Sequence, residues 1–327
     1  MKRLLSIVWV IALCVAVMTG CGSESTNSGK SSGKMKIVTT IFPEYDWVMN
    51  ILGDESKNAD VTMLLDNGVD LHSYQPTADD IMKIATCDMF IYVGGESDGW
   101  VEDVIAQAVN KDMIVINLLE VLGDKVKEEE IVEGMEAEEE EEGEKESEVE
   151  YDEHVWLSLN NANLFCEEIA GKLCDADVKN ADKYKANLAA YTEKISKLDS
   201  DYKNMIEGSK RKTILFGDRF PFRYMVDDYG LEYYAAFVGC SAETEASFET
   251  VVFLAKKVDE YKLPVIMTIE GSDNKIAETI KENTASKNQE IVSIDSMQSV
   301  TSKDIKAGVS YLNIMSENMK ILESALY

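Results

Sequence analysis

Apolar and polar positions along this chain alternate between two textures. Short β-branched runs predict strands at Met35–Ile41 (MKIVTTI), Val61–Leu65, Met89–Val93 and Met113–Asn117. Between them, helical spacing predicts helices at Glu44–Leu52, Ala78–Ile84 and Val101–Val109, with a loop from Asp66 to Pro76. This βαβα order implies an α/β fold with a parallel sheet and helices on both faces. Asn161–Leu173 is amphipathic, and from Ala176 to about Ile206 helical spacing continues with no Gly or Pro. As one helix that stretch would run about 45 Å, long enough to bridge two domains. A second series follows. Strands are expected at Thr213–Phe216, Tyr233–Phe237, Val265–Glu270 and Ile291–Ile294, and helices at Phe222–Asp228, Phe248–Tyr261, Lys275–Thr284 and Ile305–Leu326.

Two stretches of the chain depart from this pattern. Lys2 and Arg3 precede an apolar run, Leu4–Val17, and then Met18-Thr19-Gly20-Cys21. The run is too short to span a membrane and reads as a secretion signal. A cysteine directly after small residues resembles a bacterial lipobox, so Cys21 is expected to carry a lipid anchor. Gly22–Lys34 has no large apolar side chain and reads as a tether. Folding is expected from Met35, and the remaining length suffices for two lobes with a sizeable core. From Lys127 to Glu153 the chain is Glu-rich, with an unbroken run from Glu138 to Glu142, and is expected to be a solvated loop outside any core.

A net charge of −29 excludes nucleic acid as a natural partner and makes cations the expected ones. Besides Cys14 and Cys21, the cysteines are Cys87, Cys166, Cys174 and Cys240, with no CxxC spacing. Cys166 and Cys174 lie roughly 12 Å apart along one predicted helix, too far for a disulfide. All four are expected to be free thiols and not a metal cluster.

Histidine is the most informative count, because there are only two. His72 lies in Asn67-Gly-Val-Asp-Leu-His-Ser-Tyr-Gln-Pro-Thr77, a loop after a strand end, where α/β sheets place ligands. His154 lies in Tyr151-Asp-Glu-His-Val-Trp-Leu157, between the acidic segment and a helix. Neutral imidazole suits zinc and its first-row neighbours.

These segments carry a resemblance to the solute-binding proteins of zinc and manganese ABC importers, extending from about Lys36 to the C-terminus. Asp70–Thr77 is similar to the family's D-P-H-x-Y-x-P-T, with Leu71 for proline. His154–Ala162 is similar to H-V-W-L-D-P-x-N-A, with Ser158 and Leu159 for Asp and Pro. The resemblance implies that His72 and His154 are metal ligands held between two α/β lobes, each a mainly parallel sheet flanked by helices, joined by one long helix. It puts Arg219, which cannot ligate, at the place of the family's third ligand, ten residues before Tyr229-Gly230-Leu231, and the role passes to the neighbouring Asp218. It makes Asp295 a further ligand and Glu270 a supporting residue near the site. The Glu-rich loop stands where zinc members often carry a His-rich one.

The expected organisation is a signal peptide at 1–20, a tether at 21–34, an N-terminal lobe at 35–175 with the acidic loop at 127–153, a linking helix at 176–207 and a C-terminal lobe at 208–327. Two imidazoles and two carboxylates form a nitrogen and oxygen site with no thiolate, which favours Zn2+, with Mn2+ as the alternative. The expected partners are the membrane permease of an ABC importer and the membrane itself, through the lipid anchor, on the extracytoplasmic face. The chain is expected to be a monomer. No HExxH, nucleophile elbow or P-loop marks an enzyme, and a metal-dependent surface adhesin is the other alternative.

Overall fold

A computed structural model describes residues 33–136, 150–241 and 245–327. The expected signal peptide, Cys21, nearly all of the tether and the Glu138–Glu142 run lie outside the described residues.

The first series forms β1 (Met35–Thr39), α1 (Phe42–Leu52), β2 (Ala59–Met63), α2 (Ala78–Thr86), β3 (Met89–Tyr92), α3 (Val101–Ala106), β4 (Ile114–Asn117) and α4 (Leu118–Leu122). Its sheet has the order β2-β1-β3-β4, parallel throughout. Two helices follow, α5 (Leu159–Ala176) and α6 (Ala181–Gly208). The second series is β5 (Thr213–Phe220), α7 (Arg223–Tyr229), β6 (Glu232–Val238), α8 (Phe248–Tyr261), β7 (Val265–Ile269), α9 (Lys275–Asn283), β8 (Glu290–Ile294), α10 (Ser302–Lys306) and α11 (Tyr311–Leu326). Its sheet repeats the topology as β6-β5-β7-β8, again parallel. The fold is therefore two parallel-sheet α/β lobes joined by a long helix.

That helix, α6, serves both lobes. Near its start Asn187 donates to the Ile51 carbonyl at 2.9 Å and Tyr191 to Asp46 at 3.0 Å. Near its end Tyr202 donates to the Met315 carbonyl at 2.6 Å, and Tyr229 donates to Asp199 at 3.2 Å. One continuous buried cluster runs through both lobes, with Phe90, Phe165 and Trp47 on one side and Phe216, Tyr311 and Leu326 on the other. A smaller cluster, including Leu254 and Ile266, packs between the second sheet and its outer helices.

The structure corrects two expectations. The single C-terminal helix is broken into α10 and α11, because Gly308 adopts φ +94°, a conformation open to glycine and costly to other residues. The acidic segment is not wholly outside the fold. Met135 is buried in the main core, Glu128 bridges Tyr151, and the Glu136 N–H donates to the Ala236 carbonyl at 3.0 Å. An approach to a strand edge satisfies backbone groups whatever the side-chain charge, so composition alone does not reveal it.

Candidate metal site

Both sheets are parallel, so the carboxyl ends of their strands face the loops in which such folds place ligands. Most of the residues singled out by sequence fall there. His72 sits in a single 3-10 turn, Leu71–Ser73, beyond β2, where Asp70 caps the turn by accepting the His72 N–H at 3.0 Å. His154 precedes another such turn, Val155–Leu157, which leads into α5. Glu270 directly follows β7, Asp295 directly follows β8, and Asp218 lies in β5 where the pairing register slips between Phe216 and Arg219.

The two imidazoles meet. Their Nε2 atoms are 3.1 Å apart, and His154 is fully buried. Two nitrogens bound to one tetrahedral zinc at about 2.0–2.1 Å stand roughly 3.3 Å apart, so the spacing is already close to a zinc-binding edge. The acidic pair just before His154 orients both rings. Asp152 accepts from the His154 N–H at 2.8 Å and holds Nδ1 at 3.1 Å, which leaves Nε2 to face the cleft. Glu153 accepts the Ser97 N–H at 2.9 Å and stands 3.5 Å from the His72 Nδ1, and the Ser97 hydroxyl lies 2.8 Å from that same nitrogen. Asp152, Glu153 and Ser97 were missed by the sequence reading. The adjacent Asp-Glu-His triplet was the available signal, obscured by the acidic run before it.

Two glycines make room. A Cβ on Gly95, at φ +83°, would lie 2.3 Å from the Glu153 carboxylate, and one on Gly239 would lie 2.9 Å from the His154 Cε1.

Burial governs the electrostatics. It pushes the His72 imidazole down to about 3, with the neighbouring His154 acting in the same sense, so the ring stays neutral and able to ligate. Burial also raises Glu153, against the hydrogen bonds from Ser97. At Asp70 burial opposes the charge, yet the Arg219 guanidinium and the His72 backbone N–H outweigh it and hold the carboxyl below its usual range. Asp70 pairs with the Arg219 guanidinium across the cleft, tying the first lobe to the second.

The remaining candidates are distributed as follows. Asp218 accepts the Arg219 backbone N–H at 2.9 Å through one oxygen, and its other oxygen is buried with no hydrogen-bond partner. Arg219 points to Asp70 and Arg223 to Glu130 and Asp227, so neither guanidinium is given to Asp218. Asp295 accepts the Met297 N–H at 2.7 Å, within a tight turn in which Met297 takes φ +65°. Glu270 braces that turn by accepting from the Ser296 N–H and hydroxyl, each at 2.7 Å, and from the Gln298 N–H at 3.1 Å. Trp156 donates to the Ser296 carbonyl at 2.9 Å, coupling the His154 turn to the Asp295 turn. Among the described residues, one trio of metal-binding side chains gathers its ligand atoms within 4.8 Å of one another: His72, His154 and Cys240. Asp218 and Asp295 are outside it, and the cysteine is an addition that the scattered spacing did not suggest. All four described cysteines are free.

Two α/β lobes on a shared helix, with two imidazoles meeting at the strand ends, define a two-lobed binding protein. The chain belongs to the family of zinc-uptake complex component A periplasmic proteins (ZnuA), whose family model matches residues 37–325. It is 30% identical over 296 residues to the zinc-binding protein AdcA of Streptococcus pyogenes, covering 89% of this chain and 56% of that protein. The chain thus spans little more than half the length of such relatives. It is 28% identical over 322 residues to the high-affinity zinc uptake system protein ZnuA of Bacillus subtilis, covering 97% of this chain and 96% of that protein. Among solved structures, it resembles the Zn(II)-bound ZnuA-like domain of Streptococcus pneumoniae AdcA, with a TM-score of 0.69, 28% identity and coverage of 90% of this chain and 99% of that domain.

Proposed function

We propose that this protein captures a divalent transition metal, zinc foremost, in the cleft between its lobes and delivers it to the permease of an ABC importer from a lipid anchor at Cys21. The observation that carries the reading is the meeting of the buried His154 and the half-buried His72, Nε2 to Nε2 at 3.1 Å, in a member of a family of solute-binding proteins rather than enzymes. The relatives named for zinc support the choice of ion. In this reading His72 and His154 bind the metal, and Asp295, held at the end of β8 by Glu270 and Trp156, supplies a carboxylate. Asp218 is the oxygen candidate for the remaining position and Cys240 the sulfur candidate.

Metal that binds only the folded chain stabilises it by RT ln(1 + [L]/Kd), about 4 kcal/mol at a thousandfold excess over Kd. Zinc should therefore raise the melting temperature. Replacing either histidine with Ala should remove most of that rise. A His72→Ala/His154→Ala double variant that still binds one equivalent of zinc with unchanged affinity would refute the reading.

A further inference from the structure

The cleft holds one group that the nitrogen and oxygen ligand set does not use. Cys240 lies two residues beyond β6, at the carboxyl edge of the second sheet, and its Sγ falls within 4.8 Å of both imidazole ligand nitrogens. Two features hold it there. Its backbone N–H donates to Glu129 at 3.1 Å, which ties this turn to the folded flank of the acidic segment. Gly239 lets the backbone run against the His154 ring, where any Cβ would come 2.9 Å from Cε1.

We infer that Cys240 coordinates the captured metal as a thiolate beside His72 and His154, in the position that Asp218 was expected to fill. The inference rests on the metal-binding reading above and goes beyond it by changing the donor set from nitrogen and oxygen to nitrogen, oxygen and sulfur. A nitrogen at 2.0–2.1 Å and a thiolate at 2.3 Å on a tetrahedral zinc lie roughly 3.5 Å apart, so a closure of about an ångström completes the trio. On binding, the S–H bond breaks, its proton goes to solvent, and the sulfur lone pair forms the bond to the metal. No oxidant or reductant is needed. A soft thiolate selects for zinc and against manganese, which prefers oxygen donors.

Cobalt(II) in place of zinc reports the donor atoms directly, because a cobalt–thiolate bond adds an intense near-ultraviolet charge-transfer band to the visible ligand-field bands. The wild-type Co(II) complex should show that band. Cys240→Ser should lose it and bind zinc at least tenfold more weakly, with one proton fewer released per metal. Cys174→Ser, near the end of α5, and Asp218→Asn should keep the band. Should the serine variant fail to fold, the wild-type spectrum and the protection of Cys240 from alkylation by zinc in the native protein give the same answer. Histidine-dependent cobalt binding without the band, or a band that survives in Cys240→Ser, would overturn the thiolate and leave the metal-binding reading intact. Absence of any histidine-dependent metal binding would overturn both.

Discussion

At the scale of single residues, burial shifts the protonation of His72 and of Asp98, and the two act on stability in opposite directions. His72 is pushed down to about 3, by burial first and then by His154. Between roughly pH 6.5 and pH 3 the unfolded chain therefore takes up a proton that the folded chain refuses, and stability falls as pH is lowered through that window. Asp98 is pushed up to about 7, by burial first and with Glu153 adding to it. Its folded form keeps a proton that the unfolded form releases above about pH 3.9, so its contribution is lost as pH rises through 7. One oxygen of Asp98 accepts the Gly94 N–H at 3.0 Å and the other is buried without a partner, a geometry an amide would suit at least as well. Asp98→Asn should raise the metal-free melting temperature at pH 8 and change it little at pH 5. His72→Phe should flatten the acid side of the same profile. Gly239→Ala tests packing at the same scale: the methyl would press on His154, and zinc affinity should fall about tenfold, roughly 1.4 kcal/mol, in titration calorimetry.

At the scale of elements, the acidic segment divides into parts with different consequences. Residues 137–149 lie outside the described structure, whereas 128–136 are stitched to Tyr151, Ala236 and Cys240. Deleting 137–149, a stretch of mostly like charges with Val149 as its one large apolar side chain, should leave the metal-free melting temperature nearly unchanged. Extending the deletion back to 128 should lower it by several degrees, since Met135 leaves the core and a cavity costs on the order of 2–5 kcal/mol. Differential scanning calorimetry of the two deletions separates these outcomes. The strands and helices were largely legible in the sequence because their apolar periodicity is strong. The strand run in Ile37 and Val38, buried in β1, and the helical spacing of α8 show where local pattern and tertiary burial agree. What could not be read depends on contacts distant in sequence. The Asp152 and Glu153 carboxylates look like the end of a solvated acidic run, yet each is 2% exposed because it is folded against a histidine. Cys240 lacks any spacing motif, and only the pairing of β6 beside β5 brings it to the cleft.

At the scale of the whole molecule, the lobes are tied at their rims as well as through α6. Asn67 bridges Thr301, the Ser302 N–H donates to the Asp66 carbonyl at 2.9 Å, and Arg219 pairs with Asp70. The last of these is partly exposed on both sides and should contribute modestly to stability, within about 1 kcal/mol. Its larger effect should be kinetic. Arg219→Ala should speed zinc release several-fold in chelator-trapping stopped-flow measurements, with a melting temperature close to that of the wild type. The shared apolar core sets the limit on all such motion. Lobes that meet through a few polar contacts can swing freely, but here Phe165, Phe216 and Tyr311 belong to one buried body with a single strut along it. An empty molecule is therefore expected to keep almost the same silhouette as a filled one. On the function proposed above, a transporter could not tell cargo from no cargo by outline and would have to sense the mouth of the cleft. Unfilled copies would then compete for the same docking place, making import at low zinc fall as the protein itself becomes more abundant.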